Sequence, residues 1–171
     1  NVNIASVIET KSPRFYNLMP NFLLNKFKSL LHESDLNKIL KNLLGKEKLD
    51  FISGGLKELQ VMSSNYGLEK IPRKKGIIIV ANHPLGGLDG LALINEIGKY
   101  REDIQFLVND ILTEIEPFKP YFIPINKHGL NSRENILRLE ELFESDKCIV
   151  IFPSGLVSRK KNGIIKDLEW R

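Results

Sequence analysis

Residues 76–98 read GIIIVANHPLGGLDGLALINEIG. The opening run of β-branched residues suits a short buried strand, and from Gly90 onward apolar residues recur at helical spacing. Between them "NHPLGGLDG" packs a histidine, a proline, paired glycines and an aspartate into one turn. A strand therefore feeds a helix through a tight polar loop. The same alternation continues downstream. Short apolar runs at 77–81, 104–108, 121–125 and 148–152 read as strands, and 90–99 and 132–145 read as helices. The second helix is opened by Asn131 with Glu134 three residues on, a capping-box spacing. Strand–helix alternation predicts an α/β fold with a mostly parallel sheet flanked by helices.

Upstream the pattern changes. Phe22, Leu23, Phe27, Leu30 and Leu31 repeat at helical spacing after Pro20, with Lys26 and Lys28 between them. A second helix follows, with Ser34 as its expected N-cap, Leu36, Ile39, Leu40, Leu43 and Leu44 as its stripe, and Gly45 at its end. A third surrounds Leu56 and Leu59, with "SGG" expected to interrupt its start. The punctuation "IPRKKG" at 71–76 divides the chain into an N-terminal amphipathic helical segment, 1–70, and an α/β domain, 71–171. That domain is expected to continue past the final "DLEWR", with no closing element after residue 159.

Composition bounds the function classes. At 42% hydrophobic and 27% charged, the 171 residues describe an ordinary folded domain. The single cysteine, Cys148, lies in an apolar run without a partner, so neither a disulfide framework nor zinc spacing exists and no metal site is expected. Its isolation suits a reducing, cytoplasmic setting. No apolar run approaches the roughly 20 residues of a spanning helix, and no leader pattern opens the chain. Membrane contact is expected to be peripheral. Residues 1–75 carry 13 Lys/Arg against 7 Asp/Glu, whereas 76–171 carry 12 against 14. The basic N-terminal part is therefore the side expected to meet an anionic membrane surface. Nucleic acid is not expected as a partner, since no binding motif accompanies the charge, and without a phosphate-binding loop nucleotide binding is not supported.

The chemistry centres on His83 and Asp89. The loop leaves the carboxyl end of a strand, where open α/β sheets bind ligands. Gly86 and Gly87 let the backbone turn and leave room above it. A carboxylate at the following helix start, held by the helix dipole, can accept one imidazole N–H and leave the other nitrogen free as a base. The residues alone leave two readings open, this pair or a loop histidine beside an N-capping aspartate.

The stretch "NHPLGGLDG" resembles the first motif of the glycerolipid acyltransferase family, in which a histidine is followed after four residues by an aspartate. Here five intervene, and with "HP" and paired glycines the stretch looks like the branch that includes haemolysin-like proteins and acyltransferases of amino-acid-based lipids. The resemblance implies transfer of a fatty acyl group from a thioester, acyl-CoA or acyl carrier protein (acyl-ACP), to a hydroxyl of a lysolipid acceptor, lysophosphatidate or a lyso-amino-acid lipid. It implies that His83 removes the hydroxyl proton, that Asp89 orients it, and that Asn82, Gly86 and Gly87 line the substrate site. No cofactor beyond the acyl donor is implied. A second block, "YFIPINKHG" at 121–129, resembles the acceptor-binding block and places Lys127 and Arg133 near an anionic headgroup. A third, "IFPSGLVSR" at 151–159, resembles the family's proline–glycine loop through Phe152, Pro153, Gly155 and Ser158. Ser154 stands in place of the usual glutamate and Val157 in place of an arginine, with Arg159 two residues on as a substitute. The thinner set of cations favours a carboxylate-bearing acceptor over a phosphate. Two other readings remain: a lipid-binding protein on this fold that has lost catalysis, and a serine esterase using Ser154. The esterase lacks a nucleophile elbow, because Phe152 stands where its first glycine belongs.

Overall fold

The computed structural model describes residues 2–109, 116–125 and 133–170. The chain forms two compact units, Asn1–Lys46 and Glu47–Arg171. The first holds helices α1 (Ile4–Lys11), α2 (Pro13–Leu18), α3 (Asn21–Leu30) and α4 (Glu33–Asn42). Asn3 caps α1 by accepting the Ser6 N–H, and Pro13 opens α2 where its missing N–H costs nothing. Both helices preceding Pro20 fall within the expected helical segment, although the sequence pattern singled out neither of them. Helix α4 begins before Ser34, correcting the expected cap. His32 takes left-handed backbone, and Glu33 in the first turn accepts the Ile4 N–H at 2.8 Å. Gly45, at φ 81°, follows the helix as expected.

In the second unit α5 (Lys48–Glu58) runs unbroken through Ser53-Gly54-Gly55, so "SGG" does not interrupt it. Gly54 and Gly55 are buried, as are Phe51, Ile52 and Leu56. The sheet strands are β1 (Ile77–Val80), β2 (Ile104–Asn109), β3 (Phe122–Ile125) and β4 (Cys148–Ile151), with α6 (Gly87–Gly98) and α7 (Arg133–Glu144) between them. All pairings are parallel, in the order β1-β4-β2-β3. The fold is α/β with a parallel sheet and N-terminal helices, as the alternation predicts. The expected Asn131 cap lies outside the described residues.

The crossover from β1 to β2 through α6 and that from β3 back to β4 through α7 travel in opposite directions across the sheet. Right-handed connections then set the two helices on opposite faces. Register aligns Ile79, Val150, Phe106 and Phe122 in one row across the four strands. Val150 and Phe106 are essentially inaccessible, as are Ile94 and Ile97 on α6. The other face is thinner at its β1 edge, where Ile78 and Val80 stay half-exposed.

After the sheet comes an unexpected element. β5 (Arg159–Lys161) and β6 (Ile164–Lys166) form an antiparallel hairpin around Asn162-Gly163. This corrects the expectation that nothing closes the third block. Both turn residues have positive φ, 53° and 81°, the requirement of a two-residue turn whose twist matches its strands.

Candidate functional site

The site follows from the pairing of β1 with β4. Val80 is opposite Ile151, and the Ala81 N–H donates to the Ile151 carbonyl at 3.1 Å. Two loops distant in sequence therefore leave the carboxyl ends of neighbouring strands side by side. One carries His83, the other starts at Phe152. Their rings stack with centroids 4.1 Å apart and planes 21° from parallel. Phe152 also meets Phe106 of the core row at 6.0 Å, so the imidazole rests on an extension of the core.

Asp89 sits in the first turn of α6, where the helix dipole favours its charge. Its Oδ2 accepts the Leu85 N–H at 2.8 Å, closing the loop onto the helix, and lies 3.4 Å from His83 Nδ1. Asp89 is the third residue of α6 and Gly86 its N-cap, which corrects the N-capping reading, and one Asp89 oxygen both ties the loop and faces the imidazole. Nδ1 is fully buried and makes no well-formed hydrogen bond, which leaves Asp89 as the acceptor it faces. Contacts of this kind are often long before substrate binds and tighten afterwards. About 20% of the His83 side chain remains exposed, none of it at Nδ1.

Gly86 has φ 71° and ψ −132°, and a Cβ there would meet Val157 Cγ1 at 3.3 Å. Gly87, beside it, faces open space. Asn82 accepts from the indole of Trp170 at 2.9 Å, a contact across 88 residues. Pro153, Ser154 and Gly155 form the turn after β4, closed by the Gly155 N–H to the Phe152 carbonyl at 2.8 Å. Ser154 is buried and its hydroxyl donates to the Leu156 carbonyl at 3.0 Å. The hydroxyl is thus engaged within its own loop. Arg133 begins α7 and Arg159 begins β5, both exposed. Lys127 lies outside the described residues. The structure thus brings together His83, Asp89, Phe152 and the two motif loops.

Two features escaped the sequence reading. One is Val157 against Gly86, which no local pattern announces. The other is Trp170 on Asn82, whose hairpin was signalled by the Asn-Gly pair. Among the described residues no helix is long and apolar enough to cross a membrane, and no cluster of ligating side chains could hold a metal ion.

A family model described as acyltransferase matches residues 6–171. Over 171 residues the chain is 39% identical to a lyso-glycine lipid O-acyltransferase of Phocaeicola vulgatus, covering 99% of this chain and 61% of that protein. It is 34% identical over 171 residues to a lyso-glycine lipid O-acyltransferase of Bacteroides thetaiotaomicron, covering 99% and 63%. The chain spans about three fifths of the length of these relatives. No solved structure matches it.

Proposed function

The chain belongs to the acyltransferase family, and from that premise we propose that it moves a fatty acyl chain from an acyl thioester to a hydroxyl of a lysolipid. The observation that carries this reading is His83 held between Phe152 and the Asp89 carboxylate at the ends of two neighbouring strands. Asp89 keeps the proton on Nδ1, so the opposite ring nitrogen is the base. That nitrogen takes the acceptor's hydroxyl proton as the oxygen bonds to the thioester carbonyl carbon. The tetrahedral intermediate collapses by breaking its carbon–sulfur bond, and the imidazolium returns the proton to the departing thiolate. An ester and a free thiol result, with no covalent enzyme intermediate. Stacking on Phe152 limits ring rotation and keeps water from one face of the base.

The acceptor is a lysolipid, and a lyso-amino-acid lipid is favoured over lysophosphatidate. The names of the two relatives and the Val157 position support that preference. The donor is acyl-CoA or acyl-ACP. The protein works at the cytoplasmic face of an anionic membrane, peripherally. Helix α3 supports the membrane contact, with Phe22 and Leu30 exposed beside Lys26 and Lys28.

The test supplies acyl-CoA or acyl-ACP with lyso-glycine lipid or lysophosphatidate and follows thiol release and diacyl product by mass spectrometry. His83→Ala is expected to lower turnover about 10²–10⁴-fold in a folded protein. Unchanged turnover removes the base assignment. Lipid binding without product in the parent protein points to the non-catalytic reading, and a preference for lysophosphatidate overturns the aminolipid assignment.

A further inference from the structure

The hairpin β5–β6 buries none of its strand side chains. Ile164 and Ile165 are 58% and 72% exposed, and Trp170, just beyond, is 52% exposed. Packing therefore does not explain these apolar residues. Nor does pairing explain the charges. Arg159 lies directly opposite Lys166, with Lys160 and Lys161 completing the first strand, an arrangement of like charges that weakens a two-stranded ribbon. No described acidic group forms a salt bridge with any of the four.

Both stems of the hairpin are fastened to the histidine loop. Val157, two residues before β5, stands over Gly86, and Trp170 donates to Asn82. Ser158 and Asp167 join the stems by a hydrogen bond. Four cations without an acidic partner among the described residues, two exposed isoleucines and, just beyond, an amphipathic indole thus lie together beside the His83 loop.

We propose that this hairpin is the surface by which the catalytic unit docks on an anionic lipid bilayer, setting the mouth of the His83 site against the membrane. The mixture selects this partner. Cations draw the hairpin to anionic headgroups, Ile165, the more exposed isoleucine, enters the acyl boundary, and an indole occupies the interface between them. An acidic protein would use the charges and leave the isoleucines in water. The inference deepens the lysolipid reading and rests on it for its purpose, while its test rests on binding.

The experiment compares the full chain with Lys160→Gln/Lys161→Gln and with Ile165→Ser, each checked for an unchanged melting temperature. Sedimentation with phosphatidylglycerol–phosphatidylcholine vesicles should show at least about tenfold weaker binding for the double variant at low salt, with a smaller salt dependence. Ile165→Ser should weaken binding with the salt dependence retained. Turnover of a short-chain, monodisperse lysolipid should stay at the parent level in both, while turnover of vesicle-embedded acceptor falls. Vesicle binding equal to the parent in both variants overturns the proposal, as does parent-level turnover of the embedded acceptor by both. Loss of acyl-ACP capture with vesicle binding intact also overturns it and makes the hairpin a carrier-protein surface. Absence of turnover in the parent on the monodisperse acceptor is a failure of the acyltransferase reading, and the binding comparison still decides the docking surface.

Discussion

The Asp89 carboxylate holds the Leu85 N–H at 2.8 Å and faces the His83 imidazole at 3.4 Å, so its two tasks can be separated by substitution. Asp89→Asn keeps an oxygen for the Leu85 N–H but loses the charge that fixes the histidine tautomer. Turnover should fall, less than in His83→Ala, with the melting temperature near the parent value. A lowered melting temperature with full activity would leave Asp89 as a tie for the loop alone. The adjacent glycines make an independent pair. Gly86 adopts backbone available almost solely to glycine, so Gly86→Ala should cost about 1–3 kcal/mol in urea unfolding, with Val157 also displaced. Gly87→Ala places a methyl in open space. Its stability should stay within about 0.5 kcal/mol of the parent. Its KM for the acceptor should rise, because that space is where the site reading puts substrate.

At the scale of elements, the sheet is tied by Arg101 at the amino ends of its strands, opposite the end that carries the site. Its guanidinium, fully buried, pairs with Asp103 before β2, and donates to the carbonyls of Pro72 and Lys75 before β1 and of Asp146 before β4, each at 2.6 Å. Asp103 holds the guanidinium's pKa above its ordinary value and is itself held below the usual carboxylate range by Arg101. Arg101→Leu takes the donor from three carbonyls and leaves Asp103, whose side chain is 39% exposed, to water, and should lower stability by about 2–4 kcal/mol. The folded fraction should retain the parent kcat, since the site lies at the other end of the strands. Differential calorimetry alongside single-condition turnover checks both halves. The hairpin is the contrasting element. Its Asn-Gly turn is a strong local signal, yet three basic residues precede it and two consecutive isoleucines follow it, where alternating apolar residues normally make a hairpin obvious.

Across the whole molecule, acid stability should depend on Glu96. On α6 it accepts from Ser63, Asn65, Asn95 and Lys99, which joins the 63–65 segment to the helix. The Ser63 hydrogen bond leads in holding its carboxyl at about 2, against an ordinary 4.5, although burial opposes it. A carboxyl depressed by folding stabilises fully above pH 4.5 and loses that contribution as pH falls toward 2. Glu96→Gln should therefore flatten the stability curve across that window, measured by urea midpoints at successive pH values; a parallel downward shift would contradict the linkage. Periodicity and loop chemistry in the sequence by themselves determined the strands at 77–81 and 148–152, the helices after His83 and before Cys148, and the parallel α/β class. These are properties of neighbouring residues, set by which side chains recur at 2.0 or 3.6. Which strands lie side by side is a choice among distant segments, made only when their apolar faces are buried together. The tertiary order β1-β4-β2-β3 brought Phe152 onto His83, Val157 over Gly86 and Trp170 onto Asn82. No local pattern encodes those three contacts, because each depends on chain that returns to the motif from 69 or more residues away.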